Sequence, residues 1–208
     1  MTETEPIVFI VDDDASVCKA LARLIRSAGL RVETFLSAHD FLERGPLNAA
    51  GCLVLDVTMP ELNGLELQEL LSAENCPLPI IFLTGQANVP ISVRAMKGGA
   101  MEFLEKPFDD RTLLEAIHKA IVRSRQQVSN YHERCQLQQR FESLTPRERQ
   151  VFKLVVSGLL NKQIAYELGI VEKTVKVHRA RVMAKMQAGS LAELVRLAEK
   201  LNLPSDQL

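Results

Sequence analysis

Five polar residues stand where short apolar runs stop: Asp12 and Asp13 after IVFIV, Asp56 after CLVL, Thr84 after PIIFL and Lys106 after MEFLE. Three carboxylates, a hydroxyl and an ammonium are the groups that hold a hard divalent cation and a phosphoryl group. Crowded carboxylates repel one another and call for a cation between them, and one of them can then attack phosphorus to form an acyl phosphate. The lysine would pair with phosphoryl oxygens and the threonine hydroxyl would hydrogen-bond another. Taken alone, Asp12-Asp13-Asp14 reads equally well as a turn-rich strand exit. The four-place pattern is what favours a phosphate site.

These residues meet only if the runs are strands of one sheet with their carboxyl ends side by side, the crevice where open α/β sheets bind ligands. The runs are short, β-branched-rich and bounded by turn residues. IVFIV (7–11), RVETF (31–35), CLVL (52–55), PIIFL (79–83) and MEFLE (101–105) alternate with helical stretches at 15–28, 37–44, 65–71 and 91–97. On the first helix Val17, Leu21, Leu24, Ile25 and Ala28 share a face, and Gly29 follows as a stop. The alternation predicts a doubly wound, five-stranded parallel sheet over residues 1–123. From Arg111 to about Gln139 no Pro or Gly intervenes. This stretch reads as a last helix of the first domain running into a polar, exposed linker helix at 124–142, with a disordered tail as the alternative.

A second, all-α domain of four helices is expected at 143–208. Thr145-Pro146-Arg147-Glu148 has the N-cap, N1 proline and N3 glutamate of a capping box. Its helix stops near Gly158, Asn161 is the expected cap of a second helix ending at Leu168-Gly169, a third covers 172–186 and a fourth 190–201. The second and third, joined around Gly169, have the spacing of a helix-turn-helix. On the third, Val175, Val182 and Met186 share one face while Lys173, Val177, Ala180 and Ala184 share the other, flanked by Lys176. A small, basic outer face suits insertion into a major groove, with Lys176 donating to guanine. Lys162, Thr174, Arg181 and Lys185 are better placed for phosphates. A solvated amphipathic helix is the plainer alternative.

Charge follows the same division. Residues 1–123 carry 18 acidic and 11 basic side chains, whereas 145–186 carry 9 basic and 3 acidic. Different partners for the two halves are implied, although a basic face alone proves no nucleic-acid binding. Cys18, Cys52, Cys76 and Cys135 are scattered without a CxxC, so reduced thiols are expected rather than disulfides or a zinc site. The acidic N-terminus does not read as a signal peptide, and no apolar stretch spans a bilayer, which points to a cytoplasmic protein with no membrane partner.

The front half resembles the receiver domain of bacterial two-component response regulators, through VDDD (11–14), LDVTMPELNG (55–64), LTG (83–85) and EKPF (105–108). The resemblance implies a flavodoxin-like strand order 2-1-3-4-5 and a phosphoryl group accepted on Asp56 from a sensor histidine kinase. It implies Mg²⁺ (or Mn²⁺) held by Asp13, Asp56, the backbone carbonyl of Thr58 and Asp12 partly through water. Thr84 and Lys106 become the phosphate-sensing hydroxyl and phosphate-pairing lysine, Phe103 the aromatic switch, and Lys106-Pro107 a cis bond. A surface including Val89, Ile91, Arg94, Ala95 and Phe103 would dimerise or release the second domain on phosphorylation, although its apolar residues suit helix-to-sheet packing equally. Cys18 departs from an arginine common on the first helix, whose face usually docks the kinase.

The rear half resembles the four-helix DNA-binding domain of the LuxR/NarL group across 144–186, and MAKMQAGSLAELV is similar to its FixJ branch. Lys176, Val177 and Ala180 take base-contact positions by that resemblance. Ala180, often basic in relatives, and Gly189, usually arginine, are departures. The whole then reads as a phosphorylation-controlled regulator of transcription, acting as an operator-bound homodimer with RNA polymerase as a further partner, and not as a turnover enzyme. Two rivals remain. A Mg²⁺-dependent phosphohydrolase of the haloacid-dehalogenase type would need an acid two residues after its nucleophile, where Thr58 stands. A constitutive DNA-binding protein with a structural receiver would not need Asp56, Thr84 and Lys106 together.

Overall fold

Strands covered on both faces must be apolar on both faces, which is why IVFIV, CLVL and PIIFL show little alternation, whereas the edge runs RVETF and MEFLE are more polar. In the computed structural model they form β1 (Ile7–Val11), β2 (Arg31–Phe35), β3 (Gly51–Asp56), β4 (Ile80–Thr84) and β5 (Glu102–Glu105), all parallel, in the order β2-β1-β3-β4-β5. The structure describes residues 5–45, 50–74, 76, 78–85 and 89–201. Residues 1–4 and 202–208, the outer ends of the two expected domains, lie outside the described residues. The helices are α1 (Ala15–Ser27), α2 (Ala38–Glu43), α3 (Gly64–Ala73), α4 (Val89–Lys97) and α5 (Asp110–Glu142). The chain divides into two units at Ser129/Asn130, six residues beyond the end at 123 that the strand–helix alternation predicts for the first domain.

Strand pleating sends alternate residues to opposite faces. Phe9, Leu53, Leu55 and Phe82 build one core with Leu65, Leu67 and Leu71 of α3, while Val8, Ile10, Val54, Ile81 and Leu83 build another with Leu21 and Ile25 of α1 and Leu113 and Ile117 of α5. Ser124 of α5 ties the sheet from below: its Oγ accepts the Gly51 N–H at 3.0 Å. Leaving that buried amide unbonded would cost about 1–3 kcal/mol.

Local signals set the helix starts. Asp14 caps α1 by accepting from the Ser16 and Val17 amides, and Asn63 and Glu66 form a reciprocal capping box on α3. Gly64 is required at its place, since a Cβ there would lie 2.2 Å from the Asp56 carbonyl oxygen. The turn after β3 is thereby packed directly against the strand that ends in Asp56.

The second unit contains α6 (Pro146–Val156), α7 (Asn161–Glu167), α8 (Glu172–Met186) and α9 (Leu191–Leu201). Its core joins Val151, Phe152 and Val155 to Ile164, Val175, Val182, Met186 and Leu194. Leu137 and Phe141 belong to that core as well, and the Phe141 and Phe152 rings lie 5.3 Å apart. This corrects the polar, exposed linker helix read at 124–142: Leu137 and Phe141 lie one turn apart on an apolar face of α5 that the surrounding Gln and Glu obscured. Thr145 and Glu148 make the expected capping box. Asn161 is not a cap but the first helical residue of α7; Leu160 holds the cap position and its N–H donates to the Gln163 Oε1.

Candidate functional site

The acidic crevice lies past the carboxyl ends of β1 and β3. Lys106 sits on the turn after β5, where its main-chain N–H donates to the Thr84 carbonyl at 2.7 Å and Lys106-Pro107 is cis, as expected. From there its Nζ reaches Asp12 Oδ2 and Asp56 Oδ1, each at 2.7 Å. The other Asp56 oxygen accepts the Thr58 N–H at 2.7 Å, and Asp12 Oδ1 accepts the Asp14 N–H at 2.9 Å. Asp12 and Asp56 are buried, whereas Asp13 is exposed. Sequence order thus separates into one ammonium, two buried carboxylates that share it and a third carboxylate open to solvent.

Burial pushes the Asp56 carboxyl above the usual carboxylate range, against the pull of Lys106 and of the Thr58 amide. Burial would also lower the Lys106 ammonium, but Asp12 and Asp56 together outweigh it and hold its pKa up. The two directions are compatible because Lys106 has two anions, while Asp56 has only a share of one cation.

A metal ion was expected among three carboxylates. Among the described residues no three acidic, histidine or cysteine side chains converge at metal-binding distances. The donor set nonetheless fits a hard cation: oxygen groups predominate, and Asp12, Asp13 and Asp56 exceed the single positive charge of Lys106. Cys18 is not a competing soft ligand. It is buried, its Sγ donates to the Asp12 and Phe35 carbonyls at 3.4 and 3.7 Å, and burial raises its pKa. It lies on the inner face of α1, so its thiol is not presented on the outer surface of that helix.

Thr84 ends β4 and is 1 % exposed. Phe103 of β5 is half-buried, in register with Phe82, its ring 6.3 Å from that ring. Of the expected switch surface, Val89 and Arg94 are exposed, and Arg94 pairs with Glu69 of α3 at 2.8 Å. Ile91 packs against the core. Ala95 is a correction: it is fully buried, and its carbonyl accepts from Gln68 Nε2 at 3.0 Å. The apolar residues exposed on α4 are Val89, Val93 and Met96.

On α8 the expected faces separate. Val175, Val182 and Met186 are buried, and Lys173, Lys176, Val177, Ala180, Arg181 and Ala184 are exposed, as is Lys162 on α7; Thr174 is half-buried. Lys185 is a correction. Its Nζ donates to Glu148 Oε2 at 2.6 Å and to the Ser143 carbonyl at 2.9 Å, joining α8 to the start of α6 instead of reaching outward to DNA phosphates. That bond, with the Thr145 amide, holds the Glu148 carboxyl down to about 2. Three arginines that charge counting placed on the basic face are also engaged within the domain. Arg147 donates to the Leu168 carbonyl at 2.7 Å, Arg149 to the Glu142 carbonyl at 2.9 Å, and Arg179 to Asn161 Oδ1 at 3.0 Å. A sequence signal exists for Arg179, which stands four residues after Val175 and three before Val182 and so beside the apolar face of α8.

Comparison with known proteins agrees with both halves. Residues 8–118 match the response regulator receiver domain, and residues 142–198 match the LuxR family of bacterial regulatory proteins. Nodulation protein W of Bradyrhizobium diazoefficiens is 47 % identical over 98 % of this chain and 89 % of its own. The transcriptional regulatory protein FixJ of Azorhizobium caulinodans is 46 % identical over 95 % of this chain and 93 % of its own. The structure of the response regulator StyR, 51 % identical, superimposes with a TM-score of 0.86 over 95 % of this chain and all of that one. A parallel sheet bearing the acidic crevice, a helix-turn-helix with a basic outer face and full-length relatives of the same organisation together make this chain a FixJ-like response regulator of the LuxR/NarL group, a transcription regulator with a receiver domain and a LuxR-type DNA-binding domain.

Proposed function

We propose that Asp56 accepts a phosphoryl group from a sensor histidine kinase and that the acyl phosphate switches DNA binding, activating transcription. The observation that carries this reading is Lys106 held 2.7 Å from both Asp12 and Asp56. Asp56 is presented at the end of β3 with one oxygen on Lys106 and the other on the Thr58 amide, so its carboxylate is oriented before a donor arrives. An Asp56 oxygen attacks phosphorus while the bond to the donor's nitrogen or oxygen breaks, and the leaving group keeps that electron pair. Lys106 then exchanges a carboxylate partner for a phosphoryl oxygen, and the Thr84 hydroxyl accompanies it. Mg²⁺ (or Mn²⁺), when bound, supplies charge neutralisation for the incoming phosphoryl oxygens. Asp12, Asp13, Asp56 and the Thr58 carbonyl are the groups that would hold it.

Thr84 and Phe103 move together in this reading, shifting a pre-existing equilibrium at the surface of α4 and β5 toward a homodimer. The dimer binds paired DNA half-sites and recruits RNA polymerase. Lys176, Val177 and Ala180 of α8 face bases, and Lys162, Lys173, Thr174 and Arg181 face the backbone. The protein is a stoichiometric acceptor in the cytoplasm, not a turnover enzyme.

The test is incubation with acetyl phosphate and Mg²⁺, read by intact mass. Wild-type chain should gain the mass of one phosphoryl group, and Asp56→Asn should gain none. Equal labelling of both would sink the assignment. Gel filtration of the same samples checks the dimer.

A further inference from the structure

Helix α8 carries five basic residues and one acid, Glu172, at its first position. A carboxylate there suits the helix dipole but opposes the approach of a polyanion. It is not free in solution: Lys176 Nζ lies 3.2 Å from Glu172 Oε1, one turn along the same face, with the two side chains 64 % and 47 % exposed. The lysine expected to read guanine is therefore already paired before DNA arrives.

We infer that Glu172 is a specificity-determining residue, which holds Lys176 back from DNA backbone and so weakens binding to wrong sequences more than to the right one. The inference rests on the reading of Lys176 as a base contact. On unrelated duplex the available acceptors are phosphates. Lys176 gains little by exchanging a carboxylate for a phosphate, and Glu172 is left facing the polyanion. On the preferred sequence Lys176 meets guanine N7 and O6, while Glu172 can accept from the exocyclic amine of a cytosine, a donor that the major groove displays. The pair thus acts as a repulsive element that the correct base edges relieve. Neighbouring Lys173 and Val177, both exposed, add no second acid that would dilute the effect.

The experiment uses the full-length chain treated with acetyl phosphate and Mg²⁺. A duplex is first enriched by wild-type protein from a random-sequence pool, and its affinity is compared with that for the unselected pool over a range of salt. Glu172→Gln should bind the unselected pool about threefold or more tightly. Its dependence of log affinity on log salt should steepen by up to about 0.9 on that pool, as Lys176 becomes free to release a counterion. Affinity for the enriched duplex should rise less, so the ratio between the two falls. In a Lys176→Ala background the same substitution should still tighten both duplexes alike, by relief of the carboxylate's own repulsion, but should no longer lower the ratio between them or steepen the salt dependence. An unchanged ratio for Glu172→Gln, or a ratio that falls as far without Lys176, would overturn the inference alone. A wild-type chain that enriches no sequence would overturn the reading of α8 itself, and this inference with it.

Discussion

In the receiver crevice Lys106 faces two buried carboxylates, whereas in the DNA-binding domain Lys185 faces one carboxylate and one carbonyl. Each lysine lies beside groups at the ends of secondary-structure elements. The first arrangement leaves surplus negative charge, which suits the uptake of a cation and the exchange of a partner for phosphate proposed for it. The second is balanced and closed, and it joins two helices. Surplus charge marks the place built to change, and balanced charge marks the place built to stay.

The largest expected effect tests that contrast. Lys185→Met should destabilise the DNA-binding domain by about 2–4 kcal/mol, because Glu148 keeps its burial and loses its cation, while water reaches the side on which Lys185 is 36 % exposed. Differential scanning calorimetry would read this, and millimolar Mg²⁺ should not restore it. The thermal unfolding loss on Lys106→Met should be made good in large part by Mg²⁺, since Asp12, Asp13 and Asp56 can accept the ion. Mg²⁺ rescue of both variants, or of neither, would break the comparison.

Acid should separate the two units in turn. The Glu148 carboxyl is at about 2 in the folded domain against an ordinary 4.5. A depressed folded pKa means stabilisation present above the unfolded value and lost as pH falls from there toward the folded one. Circular dichroism melts should therefore show the Glu148→Gln difference shrinking between pH 4.5 and about 2. The Asp56 shift has the opposite sign, so in metal-free buffer the wild-type chain should lose stability relative to Asp56→Asn as pH rises through and above the ordinary carboxylate range.

A smaller effect concerns packing that neither charge explains. A Cβ at Gly98 would lie 2.6 Å from Gln68 Oε1, and Gln68 holds the Ala95 carbonyl between α3 and α4. Gly98→Ala should cost about 1–3 kcal/mol by crowding that bridge, and urea unfolding would measure it. Of the same size is the difference between two surface lysines. Lys176→Ala should lose about 1–3 kcal/mol of sequence discrimination, while Lys162→Ala should weaken all duplexes alike and reduce the salt slope by about 1. The reverse ranking in competition binding would exchange their assignments.

Much of the receiver crevice was legible in the chain because a strand buried on both faces must end where its apolar run ends. Asp56 and Thr84 close β3 and β4 as their runs implied, and Asp12 and Lys106 follow β1 and β5 at the first residue. The capping box at Thr145 was legible for a similar reason, since it is a local pattern of hydrogen bonds. The DNA-binding face was less so. Charge counting cannot distinguish Arg181, exposed on α8, from Arg147, Arg149, Arg179 and Lys185, whose donors meet carbonyls, Asn161 and Glu148 within the domain. Leu137 and Phe141 were hidden in the same way, by polar neighbours on the other sides of α5.

By itself the sequence determined the strand ends to within a residue, the capping box at Thr145, the presence of two domains and the acidic and basic poles, because each depends on periodicity, capping or composition within a few neighbouring residues. Only the tertiary structure decided that Lys106 is shared between Asp12 and Asp56, that Asp13 stays in solvent, that Cys18 and Ala95 are interior and that Lys185 is an internal strut. Those facts depend on which side chains are brought together or covered by elements dozens of residues away in the chain. That choice is made by packing distance and burial, which no local pattern encodes.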